Sequence, residues 1–229
     1  MIWLLILGTL GLSLWASTRV QSSYEHFSQI PASSGMTGAQ AAEMILRLAG
    51  VRGVEIAPQA GRLIDHYDPL RRRLVLSTEN FYGRSLAALG IAAHEAGHAI
   101  QHANSYIPLH LRMAAVGVTN FASSIVTWLP LIGMFTGLLA TSTALWVLAL
   151  GWGVIMAFNL ITLPVEFDAS ARAKRLLLQS GLVASGSEVR GVSQMLRAAG
   201  WTYVAAFLTS LGYFLWHLLP LLGTHAEEH

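Results

Sequence analysis

Between residues 113 and 165 the chain carries no Lys, Arg, Asp or Glu. A run of that length cannot be solvated as ordinary protein surface, and it is long enough for two helices of the ~20 residues that cross a bilayer. It predicts a hairpin with spans near 114–136 and 143–164 and a short turn around 137–142. Two further apolar stretches flank it. Residues 2–16 are uncharged, and no basic segment precedes Arg19, so this stretch reads as an uncleaved anchor rather than a signal peptide. Residues 201–222 form the last apolar stretch, with His217 inside it. The expected organisation is a first membrane helix at 1–17, a charged region at 18–112, the hairpin of helices 2 and 3 at 113–165, charged helices at 166–200, a fourth span at 201–222 and a tail at 223–229. Charged residues make up only 11% of the 229 residues, against roughly 25% in ordinary soluble domains.

Every Lys and Arg lies in 17–112 or 166–200. A hairpin between these segments returns the chain to one side, and the basic bias makes that side the cytoplasm. Both termini are then expected outside. The only basic run is Arg71-Arg72-Arg73 and the net charge is +2, too little to argue for nucleic acid; the expected partners are the lipid bilayer and a substrate. The chain has no cysteine, so any metal must be held by His, Asp or Glu.

Within 18–112 the pattern is mixed. Thr37 can cap a helix running to about Leu48, with Ala41, Ile45 and Leu48 at helical spacing, and Gly50 and Gly53 end it. Residues 54–56, 63–67 and 74–76 read as short strands, with Asp68-Pro69 as a turn. Residues 85–103 read as an Ala-rich helix with Ser85 as its cap.

That helix carries His94-Glu95-Ala96-Gly97-His98. Positions i and i+4 share a helix face about 6 Å apart, so the two imidazoles can bind one zinc ion. Glu95 can reach a water on that ion without being a ligand, which is the place of a general base in a metal-dependent peptidase. A third protein ligand is needed. His102 lies eight residues from His94, ~12 Å along the helix, and reads as a structural or supporting histidine. Glu166, where the uncharged hairpin ends, is the stronger candidate, with Pro164 at the first turn of a new helix. Asp168 is the alternative; at i+2 it points elsewhere, so only one of the two should face the metal. His66, Asp68 and His110 remain outside candidates.

Four blocks in order, residues 94–101 (HEAGHAIQ), 164–169 (PVEFDA), His66-Tyr67-Asp68-Pro69 and Phe81-Tyr82-Gly83, resemble the YugP-type membrane neutral zinc metallopeptidases, a bacterial family of about this length. The resemblance implies His94 and His98 as zinc ligands, Glu95 as catalytic base and Glu166 as third ligand, a gluzincin-like set. It also implies a bacterial plasma membrane location. The layout is more distantly similar to HtpX-type membrane peptidases, whose downstream motif carries an acidic residue where this chain has Ser170; Asp168 or Ser170 is then expected to orient His98. The fold class expected is a mainly α membrane protein of about four transmembrane helices, with a cytoplasmic α+β zincin-like metallopeptidase region and a small β-sheet.

The strand at 74–76 is either an edge that pairs with extended substrate, as the likeness to zinc peptidases implies, or an ordinary sheet strand. His66 or Tyr82 could donate to a developing oxyanion. His217 reads as a packing residue, and Gly133, Gly137, Gly151 and Gly153 as sites of close helix approach. A peptide or protein is the expected substrate. The rival readings are a di-iron oxidase, which would want a second Glu-x-x-His, and a non-catalytic membrane scaffold or chaperone that keeps a zinc site.

Overall fold

A computed structural model describes residues 2–137, 142–184 and 186–224; the tip of the hairpin at 138–141 and the tail from 225 lie outside them. Its elements in order are α1 (Ile2–Ser28), α2 (Gly38–Leu48), β1 (Glu55–Gln59), β2 (His66–Asp68), β3 (Arg73–Ser77), α3 (Thr78–Tyr82), α4 (Leu86–Ala103), α5 (Ile107–Thr136), α6 (Ser142–Gln179) and α7 (Gly186–Thr224). Four helices, α1, α5, α6 and α7, are long and apolar enough to cross a membrane. The protein is mainly helical, with one small sheet.

The long helices do not stop where the apolar stretches end. α1 continues past Arg19 because Tyr24 and Phe27, three residues apart, fall on one face and are buried in a hydrophobic cluster. Pro164 does not open a helix, as the sequence suggested. It lies inside α6, where its ring removes one backbone hydrogen bond. The helix continues because Val165, Ala169, Ala173 and Leu177 beyond it are all fully buried, and that packing outweighs the lost bond.

The chain divides into two compact units. One comprises residues 15–110 and 164–202. In it, α2 begins with a reciprocal capping box between Thr37 and Gln40, and α4 begins with the Ser85 hydroxyl accepting from the Ala88 N–H. The sheet order is β1-β3-β2. β1 pairs parallel with β3, from Glu55 opposite Arg73 to Gln59 opposite Ser77, and β2 pairs antiparallel with it, His66 opposite Val75. β3 is therefore the central strand, which decides for the ordinary sheet strand and against the substrate-pairing edge. Its continuous apolar run suits that place: Leu74, Val75 and Leu76 are all buried, as in a strand covered on both faces. The free edges among the described residues belong to β1 and β2.

α4 is buried almost all round, 14 of its 18 residues being inaccessible. Its alanines let neighbouring backbones approach. A polar clasp holds the strand–helix corner that precedes it. Asp65 accepts from the Ser77 N–H at 2.8 Å and from the Asn80 amide at 3.0 Å, and Asn80 in turn accepts from the Tyr24 hydroxyl at 3.1 Å.

The other unit comprises residues 1–14, 111–163 and 203–229. Gly151 faces Val126 and Gly153 faces the Phe214 ring closely enough that a Cβ would collide or press against it. Gly137 has no such neighbour among the described residues; it takes φ +75° just past the end of α5, the usual work of a glycine there. Asn159 donates to Ser210 at 3.0 Å and to the Ala206 carbonyl at 3.2 Å, and His217 Nδ1 bonds the Tyr213 carbonyl at 2.7 Å. Large apolar side chains such as Phe135 (83% exposed) and Trp128 point outward, as they do when lipid is the solvent.

Replacing Asp65 with Ala leaves the buried Ser77 N–H and Asn80 amide without an acceptor, which costs about 1–3 kcal/mol. Unfolding of the purified variant in detergent is expected at a correspondingly lower denaturant concentration, with helical content unchanged beforehand.

Candidate metal centre

His94 and His98 project from one face of α4. Their ring centroids are 4.8 Å apart and nearly perpendicular, at 83°. Glu166 arrives from α6 and is only 2% exposed. Its Oε2 stands 3.2 Å from His94 Nε2 and 3.6 Å from His98 Nε2. One donor atom from each of the three residues lies within 4.8 Å of the others. Two imidazole nitrogens and one carboxylate oxygen are the donor set that zinc takes in catalytic sites, with a fourth position left for water. The residues present therefore fit a zinc ion.

Close helix approach makes this convergence. Gly97 lies against α6 at Ala169. A Cβ added there would stand 2.8 Å from the Ala169 carbonyl oxygen and 3.2 Å from its Cα, both backbone atoms that cannot rotate away. Glycine is thus the residue that lets α6 come near enough to deliver a short carboxylate side chain.

The outward nitrogens of both rings are also engaged. Ser170 Oγ lies 3.2 Å from His94 Nδ1, and Gln101 Oε1 lies 3.0 Å from His98 Nδ1. This corrects the expectation that Asp168 or Ser170 orients His98 directly. Ser170 meets the other histidine because it sits one turn beyond Glu166 on α6. Asp168, at i+2 from Glu166, accepts from Gln101 and from Arg172 at 2.5 Å.

The field at the site is negative. Burial works against a charge on His98, but hydrogen bonding to Glu166 and the charges of Glu95 and Glu166 outweigh it, and Gln101 adds to them; the result is a proton affinity above that of an ordinary histidine. Whatever favours a proton at that nitrogen also favours a metal cation. Glu95 is buried, at 8% exposure, and makes no hydrogen bond among the described residues, so its carboxylate stays free.

The other candidates lie outside the three-donor group. His102 Nδ1 bonds the Tyr67 hydroxyl at 3.0 Å, and its ring is 5.8 Å from that of His110. Burial first, then His110 and Arg72, lower its proton affinity. His66 is exposed and bonds the Ile64 carbonyl at 2.7 Å. Tyr82, 63% exposed, rests edge-on against Phe81. Asp68 caps its turn by accepting from the Leu70 and Arg71 N–H groups. Sequence reasoning missed Gln101 and Gly97. An amide three residues past His98 in an otherwise apolar stretch, and a glycine inside an alanine helix, were the available signals.

Residues 2–222 match the family model described as "Putative neutral zinc metallopeptidase". The chain belongs to that family. It is also 45% identical over 229 residues to "Putative membrane protease YugP" of Bacillus subtilis (strain 168), covering 98% of each chain. No solved structure matches it significantly. Zinc is the metal of this neutral zinc metallopeptidase family, and His94, His98 and Glu166 are close enough to hold it. With its four apolar helices and its membrane-protease relative, the chain is a membrane protein.

Gly97→Ala should force the two helices apart or strain them, at about 1–3 kcal/mol for overpacking. The expected outcome is a protein that keeps its helical content but melts earlier and releases zinc to a chelator faster than the wild type. Unchanged zinc retention would show that the close approach is not what sets the site.

Proposed function

We propose that this chain is an integral membrane zinc metalloendopeptidase that hydrolyses peptide bonds with Glu95 as general base, His94, His98 and Glu166 as metal ligands, and an active site at the cytoplasmic face. The observation that carries the reading is the convergence of two Nε2 atoms and one carboxylate oxygen beside a buried carboxylate that makes no hydrogen bond among the described residues. A bound zinc ion would supply Lewis acidity, polarising the scissile carbonyl and making a coordinated water acidic.

The chain's own groups do the rest. His94 and His98 would hold the metal through Nε2, each ring having a partner on its Nδ1. Glu166 supplies the single negative charge of the donor set. Glu95 takes the proton of the attacking water on its carboxylate and returns it to the amide nitrogen as the peptide bond breaks. Its freedom from hydrogen bonds suits that task, because a carboxylate already clamped by donors is a poor base.

Placement on the cytoplasmic side rests on charge. The regions 18–112 and 166–200 hold all the Lys and Arg, and such loops stay inside. A reporter fused after His229 should then read as external; a cytoplasmic signal overturns the orientation.

Glu95→Gln should keep its zinc and lose hydrolysis of a peptide substrate by about 100-fold or more, while Glu166→Ala should lose the metal. A Glu95→Gln protein that cuts as fast as the wild type disproves the base assignment. A wild-type protein that holds zinc one-to-one yet cuts no peptide favours the scaffold reading instead.

A further inference from the structure

Gln101 is fully buried, at 0% exposure, one turn past His98 on α4. A buried primary amide has two N–H donors and one carbonyl to satisfy. Its Nε2 lies 2.8 Å from the Val165 carbonyl oxygen and 2.8 Å from Asp168 Oδ2. Both partners are acceptors only, so this end of the amide must be the NH2 and both of its protons are committed. The oxygen end is then the atom 3.0 Å from His98 Nδ1. A carbonyl oxygen cannot donate, so His98 Nδ1 must carry a proton.

That single deduction fixes the other side of the ring. A neutral His98 protonated at Nδ1 has its lone pair on Nε2, and Nε2 faces Glu166 Oε2 at 3.6 Å. Two acceptors pointed at each other are matched by a positive charge between them, either a second proton on the ring or a metal ion. Reversing the tautomer would let Nε2–H donate to Glu166, but Gln101 would then have to turn its NH2 toward His98 and give up both buried bonds. The amide therefore resists the Nε2–H tautomer, the neutral form of the ring that could donate to Glu166.

Gln101 also spans the two ligand-bearing helices. It holds His98 on its own helix and Val165, the residue just before Glu166, on α6. Asp168 is pinned in turn by Arg172, whose guanidinium lies over the Tyr106 ring at 5.8 Å. A neutral amide can do this without accepting a proton or adding charge to the donor set, which a carboxylate in the same place could not.

We propose that Gln101 is the positioning residue of the metal centre, locking His98 in the Nδ1–H tautomer and tying it to the turn that carries Glu166. This rests on the metal-site reading above. Removing a group that orients a metal-bound histidine weakens metal binding by about 10–100-fold.

The test uses the full-length protein in detergent with zinc or cobalt alone. Gln101→Met keeps the side-chain length and removes every hydrogen bond. It should fold with wild-type helical content, bind zinc about 10–100-fold more weakly in competition with a chelator, and shift the visible absorption of the cobalt-loaded form. Wild-type affinity together with an unchanged cobalt spectrum overturns the proposal. If Gln101→Met does not fold, the wild type itself decides: histidine nitrogen NMR of the metal-free protein, above the pH at which His98 loses its second proton, should find His98 protonated on Nδ1. Protonation on Nε2 overturns it. A wild type that binds no zinc removes the metal-site reading and this proposal with it, whereas zinc binding indifferent to Gln101 removes only the latter.

Discussion

The site depends on how closely two helices can meet. The carboxylate of Glu166 can touch both imidazoles only if α4 and α6 approach at Gly97 and Ala169, where one extra methyl would overlap backbone. The composition of α4 follows from this constraint. Ala92, Ala93, Ala96 and Ala99 are all buried, and small side chains bring in neighbours from every side. A leucine-rich helix would bury more apolar area per residue, but it would hold α6 too far away for a carboxylate to reach. Stability gained from bulk has been exchanged for nearness.

Nearness creates an electrostatic cost that the surrounding groups must offset. Burying a carboxylate beside two imidazoles is unfavourable unless its charge is matched and its neighbours are hydrogen-bonded. Each member of the cluster has a partner: Ser170 for His94, Gln101 for His98, Arg172 for Asp168. Glu95 alone makes no such bond. Its carboxylate lies close enough to His98 for its charge to be felt there.

Much of this was legible in the sequence because it is local. The i, i+4 histidines, the helix caps at Thr37 and Ser85, and the turn at Asp68-Pro69 each follow from neighbouring residues. Glu166 could be picked out because it ends an uncharged run. What escaped was set by partners distant in the chain. The place of β3, edge or interior, stayed open because sequence does not reveal that β1 and β2 will take both of its sides. Pro164 looked like a helix start because the burial of Val165, Ala169, Ala173 and Leu177, which carries α6 through it, is a property of the packed unit. Ser170 and Asp168 were assigned to the wrong neighbour because a turn of helix separates Glu166 from one and i+2 from the other, and only the packed α4 decides which ring each meets.

The two histidines are held differently, and the difference has a direction. A serine hydroxyl can donate or accept, so Ser170 accommodates either tautomer of His94, which is also the more exposed ring. The amide at Gln101 accommodates one tautomer only and is itself fixed at both N–H groups. His98 is thus the invariant arm of the site, and His94 the arm that can adjust. A donor set that would hold a metal ion gains from both kinds of arm. A ring held as tightly as His98 at both positions would fix the geometry against change, and a pair held only by hydroxyls would leave the choice of tautomer, and with it the metal, to solvent.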